Sequence, residues 1–366
     1  MNRSVFAALL ILLFAPHCAA GAETPPAYLK DWREKMKSLT PRGYVCPYAK
    51  QAVKVDGLMN DAAWAAAPWT DEFVDIEGPA KPNPRFRTRA KMLWDDEYFY
   101  VAADMEEPHV WGTLTKHDEV IFADPDFEVF IDPNGDTHEY YEFEMNALNT
   151  GWDLFLPKPY KDGGTARNEW EIPGLKTAVH VRGTLNNPED RDEGWSVELA
   201  FPWRVLREFA HRDAPPGEGD QWRIGFSRVE WQIEVRDGKY IKVPKTPEDN
   251  WVWSPQGVID MHRPEKWGYV QFTRKSTAVF APDPAAPVRD ALQEVYYAQM
   301  DFFKKHARWG AKFDEIGVTP GAGGNVGAPV LRAKADGYDC SVDLKAPNAT
   351  VQRWIIHHDA RVHPAK

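Results

Sequence analysis

One stretch constrains the fold more than any other: residues 126–146 predict a β-hairpin with an acidic face. Apolar and polar side chains alternate on both sides of a turn, and a period of two is typical of strands with two different faces. The turn at 132–136 contains an Asn-Gly step, which tolerates positive φ. Carboxylates repeat on one face of both strands, at Glu128, Glu142 and Glu144. Because like charges facing each other destabilise a sheet, the pattern predicts a cation, basic partners or a polar ligand there.

The rest of the chain predicts a mainly β protein, an antiparallel β-sandwich with a small C-terminal helix-plus-hairpin extension. Short alternating runs are separated by loops rich in Pro and Gly, which favours a sandwich, with a barrel as the alternative. After Arg274 a Pro-rich segment predicts a stiff linker, and residues 288–309 have helical periodicity. Runs at 337–344 and 351–358 predict a closing hairpin. The predicted organisation is a signal peptide (1–22), an N-terminal helix and linker (23–44), the sandwich (45–275) and the extension (281–366).

The first residues have the features of a secretory signal peptide. A basic start is followed by an apolar run at 5–15 and by small residues before position 23, a pattern too short for a comfortable membrane span. We therefore expect a secreted or periplasmic protein without a membrane span. Export would place Cys46 and Cys340 in an oxidising compartment, where they could form a disulfide or remain two buried thiols.

Charge and aromatic content narrow the class of ligand. The net charge is −11 and the basic residues are scattered, which argues against nucleic-acid binding because that function needs a concentrated basic patch. The sixteen Trp residues suit a β core. They also suit a sugar-binding surface, because a pyranose presents an apolar C–H face that an aromatic ring can cover.

Six motifs in order resemble the family 9 carbohydrate-binding modules, a group within the DOMON-like β-sandwiches. The resemblance covers roughly residues 46–274. It implies a sandwich that binds sugars by stacking and hydrogen bonds, with calcium as a structural ion, and that often accompanies glycoside hydrolases. The motifs are DGLMNDAAW (56–64), MLWDDEYFYV (92–101), DFEVFID (126–132), FEMN (143–146), GWSVE (194–198) and EKWG (265–268).

The resemblance and the residues together predict a set of ligand contacts. Glu128 keeps the place of a carboxylate that bonds sugar hydroxyls, and Phe122 stands near a stacking position. This sequence has Glu144 where the family has a basic residue, and His262 lies near the second stacking position. Trp253, in a loop rich in aromatic and polar groups, could supply a stacking ring instead or could plug one end of the sandwich. The predicted contacts are Glu128, Phe122, Trp253, Glu144, Arg228 and His262.

The hairpin turn predicts a calcium site. Asp132, Asn134 and Asp136 supply hard oxygen ligands at alternate positions, as Ca²⁺ requires, and the alternative is a solvated Asx-rich turn. Haem is an alternative ligand because some DOMON relatives bind it through Met and His. Met261 and His262 are adjacent and would point to opposite faces of a strand, so a second ligand such as Met145 or Met92 would be needed. We do not expect haem.

Three functions follow from these features. The first is a secreted, non-catalytic carbohydrate-binding protein that takes part in carbohydrate catabolism, with glycoside hydrolases as candidate partners. The second is a glycoside hydrolase-type enzyme that uses paired carboxylates on the hairpin as acid and base. The third is an envelope interaction module whose sugar site has decayed, an alternative kept open by Glu144 and Met261.

Overall fold

The computed structural model describes residues 38–346 and 350–365. The predicted signal peptide and nearly all of the predicted N-terminal helix lie outside the described residues. The helices are α1 (Trp203–Leu206) and α2 (Ala286–His306). The strands are β1 (Gly43–Pro47), β2 (Val74–Asp75), β3 (Thr88–Trp94), β4 (Tyr98–Glu106), β5 (Asp126–Asp132), β6 (Tyr140–Asn146), β7 (Gly151–Leu156), β8 (Lys176–Arg182), β9 (Gly194–Pro202), β10 (Gln221–Glu230), β11 (Ile233–Arg236), β12 (Lys239–Lys242), β13 (Asp249–Val252), β14 (Gly268–Thr273), β15 (Val330–Ala333), β16 (Tyr338–Lys345), β17 (Val351–His357) and β18 (Val362–Pro364).

Two sheets form the main domain, as the sequence predicts. The larger sheet has the order β1-β14-β10-β5-β6-β7, with β13 and β2 attached through β10. The smaller sheet has the order β3-β4-β9-β8. All pairings within the two sheets are antiparallel except the parallel pair of β1 and β14. The predicted mainly β sandwich is therefore confirmed, and β5 and β6 form the predicted hairpin of residues 126–146.

The period of two places an aromatic core between the sheets. Phe127 on β5 and Phe226 on β10 stack with ring centroids 5.7 Å apart, and Phe73 joins them. From the smaller sheet, Trp94 and Phe99 pack edge-on against the larger sheet. Each such side chain contributes about 1.5–3 kcal/mol when it leaves water. Most of the tryptophans therefore serve the core.

The extension is larger than the predicted helix and hairpin. Helix α2 packs on a four-stranded sheet with the order β15-β16-β17-β18. The predicted hairpin corresponds to β16 and β17, and the structure adds the short edge strands β15 and β18. Helix and sheet enclose a second hydrophobic core, which includes Val288, Leu292, Tyr338 and Ile356. None of the helices in the described ranges is long and apolar enough for a bilayer crossing.

The two candidate disulfide partners lie in different cores. Cys46 is buried between the two sheets of the sandwich, whereas Cys340 is buried under helix α2 in the extension. Both are free thiols. Of the two alternatives that the sequence leaves open, the structure therefore has the pair of buried thiols.

The C-terminal end of the extension is bound to the turn of the β5–β6 hairpin by two hydrogen bonds and an ion pair. The backbone N–H of Val362 donates to the carbonyl of Asp136 at 3.1 Å. The hydroxyl of Thr137 donates to the carbonyl of Ala360 at 3.0 Å. The guanidinium of Arg361 pairs with the carboxylate of Asp136 at 2.9 Å. These contacts hold the central hairpin against the extension.

Candidate functional site

The register of the central hairpin decides which side chains share a face. Glu128 on β5 lies directly opposite Glu144 on β6. Because alternate residues point to opposite faces of a sheet, Phe127 and Phe143 enter the sandwich core while both glutamates point outward. The predicted pairing of carboxylates on one face of the hairpin is thus present in the structure.

Four carboxylates lie on this outer side of the hairpin, and we call them the acidic face: Asp126, Glu128, Glu142 and Glu144. Each side chain is at most 5% exposed. One oxygen from each of Asp126, Glu128 and Glu144 lies within 4.8 Å of the other two. Like charges at this spacing repel strongly when water is excluded. The face is therefore an electrostatically costly arrangement in the middle of the sheet.

The protein satisfies the acidic face only in part. The N–H of Val229 donates to Asp126 Oδ1 at 3.1 Å, and the N–H of Phe122 donates to Glu144 Oε2 at 3.0 Å. Three further buried oxygens have no hydrogen-bond partner among the described residues, so they remain available to a ligand. These oxygens are Oδ2 of Asp126, Oε2 of Glu128 and Oε2 of Glu142.

Burial changes the proton affinity of these groups. It raises the pKa of Glu128 to about 7, against the opposing effect of the nearby Ser227 hydroxyl. Burial, reinforced by the charge of Glu128, raises the pKa of Glu142 and of Glu144 well above the usual range. The acidic face therefore favours either bound protons or a ligand that brings positive charge or hydrogen-bond donors.

Aromatic rings border the acidic face on the side of β7 and the β10 end. Phe122 is 41% exposed, and its carbonyl accepts a hydrogen bond from Trp231 Nε1 at 3.1 Å. Lys242 places its ammonium 3.4 Å from the centroid of the Trp231 ring. Trp152 on β7 is half-buried and lies opposite Glu144. Phe122, Trp152 and Trp231 thus offer ring surface beside the carboxylates.

Tyr160 completes this border, and we call Phe122, Trp152, Tyr160 and Trp231 the aromatic rim. Tyr160 is 46% exposed. Burial, followed by the charges of Glu142 and Glu144, raises the pKa of its phenol to about 12. The rim therefore combines exposed ring area with one hydroxyl next to the carboxylates.

His262 lies at one end of the acidic face, where its ring contacts Tyr160 and Phe130. Its ring packs edge-on against Tyr160, with centroids 4.4 Å apart, and against Phe130, which is opposite Glu142 in register. Its Nδ1 is hydrogen-bonded with the Tyr140 hydroxyl at 2.8 Å. Burial lowers the pKa of His262 to about 4, so the imidazole is neutral near pH 7. It therefore supports the rim as an uncharged side chain.

Trp253 is a core residue, contrary to the predicted stacking role. Its side chain is 1% exposed and packs against Tyr44 and Phe226 inside the sandwich. The packing is so close that a Cβ at Gly268 would meet its ring at 2.4 Å. The ring has no face available to a sugar, so the alternative of a structural plug describes it better.

Arg228 is also placed away from the predicted contact surface. Strand β10 turns Ser227 toward Glu128 and Arg228 toward the smaller sheet. The guanidinium is fully buried and pairs with Glu107 at 2.7 Å and Glu230 at 2.8 Å. It also donates to the Thr88 hydroxyl on β3 at 3.0 Å. Arg228 thus joins the two sheets and does not reach the acidic face.

The turn predicted to hold calcium directs its oxygens to the protein itself. Asp132 accepts hydrogen bonds from the N–H groups of Gly135 at 2.8 Å and Thr137 at 2.9 Å. Asn134 Oδ1 accepts one from Asp136 at 3.1 Å, and Asp136 pairs with Arg361. Because each side chain already has donors from the chain, this arrangement does not support the predicted calcium site. Calcium at Asp132, Asn134 and Asp136 remains a sequence-based prediction.

The side chains considered for haem are separated by the sheet. Met92 and Met145 are buried in the core between the two sheets. Met261 packs in a different cluster, together with Phe130 on the outer side of the larger sheet, and His262 lies there too. These four residues therefore do not converge on one iron position.

A second group with metal-ligand chemistry lies at the β7 edge. His117 Nε2 is 3.1 Å from Asp153 Oδ1, 3.2 Å from Glu171 Oε2 and 3.3 Å from Asp118 Oδ1. The neighbouring carboxylates raise the pKa of His117 against the effect of burial. The three carboxylates thus favour the protonated form of the imidazole, and His117 and Glu171 are both exposed.

Three members of the aromatic rim escaped prediction from the sequence. Trp152, Tyr160 and Trp231 were assigned no role there. For Trp152 a signal existed, because Gly151–Leu156 continues the alternation of the hairpin and places this ring on the acidic side. Tyr160 and Trp231 lie beyond strand ends, where the period of two no longer fixes the direction of a side chain.

The β-sandwich of the main domain matches a known protein family. The profile of the family described as "Carbohydrate family 9 binding domain-like" matches residues 55–251. This match covers more than half of the 366-residue chain. The chain therefore belongs to that family, and the resemblance read from its motifs is confirmed.

Curated relatives share only the module with this chain. Exoglucanase XynX of Acetivibrio thermocellus is 30% identical over 117 residues, which is 32% of this chain and 9% of that protein. Endo-1,4-beta-xylanase A of Thermoanaerobacterium saccharolyticum is 29% identical over 116 residues, 32% of this chain and 8% of that protein. The chain thus spans about a tenth of the length of these relatives.

Solved structures similar to this chain include two family 9 modules. A family 9 module from Caldicellulosiruptor kristjanssonii in complex with cellotriose covers 66% of this chain and 99% of its own, at 15% identity and a TM-score of 0.42. The same organism's module in complex with glucose gives 14% identity and a TM-score of 0.42.

Proposed function

We propose that the acidic face and the aromatic rim form the sugar-binding site of an exported protein that binds carbohydrate without converting it. The observation that carries the proposal is the juxtaposition, within a family 9 sandwich, of exposed Phe122 and Tyr160 rings with carboxylate oxygens that have no hydrogen-bond partner in the described part of the chain. Export itself rests on the sequence of residues 1–22.

The two parts of the site suit the two kinds of surface that a sugar offers. The C–H face of a pyranose can stack on the rings of Phe122, Trp152 or Tyr160. Its hydroxyls can donate to the free oxygens of Glu128 and Glu142. Hydrogen bonds to ionised acceptors are about twice as strong as neutral ones. The rim would therefore supply contact area and the acidic face would supply orientation.

The sequence relatives indicate which sugars to try first. Their names describe an exoglucanase and endo-1,4-beta-xylanases, so β-linked gluco- and xylo-oligosaccharides are the first probes. We further propose that the protein acts in carbohydrate catabolism beside glycoside hydrolases. The support for this step is the family membership alone.

A glycan array followed by titration calorimetry on the hits tests the proposal. We expect binding of at least one oligosaccharide, and we expect Glu128→Gln and Phe122→Ala each to weaken it at least tenfold. Glu97→Gln is the matched control, because Glu97 is exposed at the β3–β4 turn of the other sheet. Parent-like affinity in both site variants would show that the site lies elsewhere. Absence of any hit would favour the decayed-site alternative.

One observation favours a catalytic alternative strongly enough to test it. The Glu128 and Glu144 carboxylates approach within 4.8 Å, and burial raises the pKa of Glu128 to about 7. Retaining glycosidases hold their two carboxyl groups about 5–5.5 Å apart, with one pKa raised. Incubation of the array hits with the protein, followed by product analysis, decides the matter. Turnover that Glu128→Gln abolishes would identify an enzyme, whereas binding without products supports the module.

A further inference from the structure

The acidic face is the one place in the described residues where three buried carboxylates converge. Asp126 and Glu128 are two residues apart on β5, and Glu144 lies opposite Glu128 on β6, so the strand geometry itself aims all three at one point. Their side chains are 0%, 5% and 3% exposed. The convergence follows from the sheet register and needs no loop to be positioned.

The buried oxygens at this point lack partners from the protein. Asp126 Oδ2 and Glu128 Oε2 accept no hydrogen bond from any described residue. Glu142 lies beside Glu144 on the same face without belonging to the convergent three, and its buried Oε2 is also without a partner. Polar atoms buried in this way normally have a hydrogen-bond partner, an ion or a water. The unsatisfied oxygens therefore point to a ligand.

No ion pair among the described residues involves any of the four carboxylates of the acidic face. The Lys242 ammonium lies over the Trp231 ring and attracts Asp126 from a distance without forming an ion pair with it. Buried charges are retained in proteins when they are paired or coordinate a metal. A cation is thus the kind of ligand that the site lacks.

We propose that Asp126, Glu128 and Glu144 bind one calcium ion at the centre of the acidic face. All donors are carboxylate oxygens, which suit hard cations and disfavour soft metals. Calcium takes oxygens at about 2.3–2.6 Å, so two oxygens on one ion can be up to about 5 Å apart. Magnesium usually keeps several waters and binds through only one or two carboxylates, so three convergent carboxylates favour calcium. The three oxygens lie within 4.8 Å of one another, close enough to share one ion after a small movement of the side chains.

A calcium ion here would change what a sugar meets at the site. Without it, carboxylates accept hydroxyl protons. With it, sugar hydroxyl oxygens could themselves bind the cation, between the rings of Phe122 and Trp152. This consequence rests on the proposed sugar-binding function, whereas the calcium site itself does not.

Calcium titration of the chelator-treated full chain tests the site without any sugar. We expect calorimetry to show one Ca²⁺ per chain at this site, and Tb³⁺ to displace it with emission sensitised by tryptophan. Glu128→Gln combined with Glu144→Gln should weaken Ca²⁺ binding at least a hundredfold, and Asp126→Asn alone at least tenfold. Asp136→Asn and His117→Ala are the controls, because they alter the turn and the β7-edge group; both should bind as the parent does.

Several results would overturn the proposal. They are a folded parent that binds no Ca²⁺, a double variant with parent-like affinity, or loss of binding in Asp136→Asn instead. Thermal unfolding shows whether each variant is folded. Ca²⁺ should raise the unfolding midpoint of the parent and of both controls but should not change the midpoint of the double variant. Glycan binding is then compared in Ca²⁺ and in chelator. Equal glycan affinity in the two buffers, with Ca²⁺ binding confirmed, would overturn only the link to sugar.

Discussion

The carboxylates at the turn of the central hairpin have hydrogen-bond donors from the protein, whereas several carboxylate oxygens along its strands have none among the described residues. At the turn, Asp132 and Asp136 accept backbone N–H groups, and Asp136 also pairs with Arg361. Along the strands, the acidic face receives only two backbone donors for four carboxylates. The sequence is equally acidic in both places, yet only the strand carboxylates are left with free buried oxygens.

The difference has a simple geometric origin. The N–H groups of a turn have no ladder partner, so a nearby Asp or Asn can accept them. In a central strand, the same groups are already used by the neighbouring strands. A carboxylate in the middle of a sheet must therefore find its partner in another side chain or in a ligand. In this hairpin the strand carboxylates are therefore the better candidates for contact with a ligand.

The largest expected effect concerns Arg228, which supplies what the acidic face lacks. Arg228→Ala should lower the free energy of unfolding by about 3–5 kcal/mol, because it leaves Glu107 and Glu230 buried without their cation. Urea denaturation measures the change. Arg236→Ala, on an exposed ion pair, should change stability by less than about 1 kcal/mol. A small effect for Arg228 would mean that buried carboxylates here tolerate the loss of a cation.

The second largest effect on stability is expected at Asp136, whose carboxylate bonds the His138 N–H and Arg361 at the turn. Asp136→Ala should destabilise the protein by about 2–3 kcal/mol, because it removes bonds from the His138 N–H and from Arg361. Chemical denaturation at neutral pH would show the shift, with Asn134→Ala as a milder neighbour. If sugar binding fell together with stability, the two ends of the hairpin would not be independent.

His262 should make stability depend on pH at the end of the acidic face. Its pKa is about 4 in the folded protein, below the ordinary value of 6.5. Above pH 6.5 both states are neutral and the effect is absent; as pH falls toward 4, only the unfolded chain takes up the proton. Between pH 7 and pH 5 this costs about 2 kcal/mol of stability. His262→Gln should reduce the loss by that amount in parallel denaturation curves, and an unchanged slope would contradict it.

The smallest effect has the opposite sign. Glu142→Gln should raise the free energy of unfolding by about 1 kcal/mol in chelator at pH 8, because it removes one buried negative charge from beside others. Differential denaturation against the parent measures it. Asp136→Asn should instead lower stability, so the same change of charge would act oppositely at the two ends. Destabilisation by Glu142→Gln would indicate a partner for this carboxylate.

Sequence patterns located the strands and one face of the site because period and register are local properties. The alternation in β5 and β6 is enough to place Glu128 opposite Glu144 once the turn length is known. It also separates both from the core residue Phe127. The prediction of site residues failed where contacts with a distant part of the chain decide the direction of a side chain.

Trp253 and Arg228 illustrate those failures. A loop tryptophan can point outward or into the sandwich. Trp253 fits inside because Gly268 has no side chain and leaves room for the ring. Arg228 follows Ser227 on β10, but its role depends on Glu107 and Thr88 from distant parts of the chain. Pairing partners of this kind are set by the tertiary fold, which no local pattern in one sequence contains.

The hydrogen bond between β18 and the hairpin turn affects where the chain could be shortened without disturbing the main domain. The family match ends at residue 251, yet β14 completes the larger sheet and β18 closes over Asp136 through Val362. A protein shortened after residue 275 would leave Asp136 without Arg361 and would remove the Tyr297 hydroxyl of helix α2 that bonds Arg263. The family match and the set of elements that contact the central hairpin therefore have different limits in this chain.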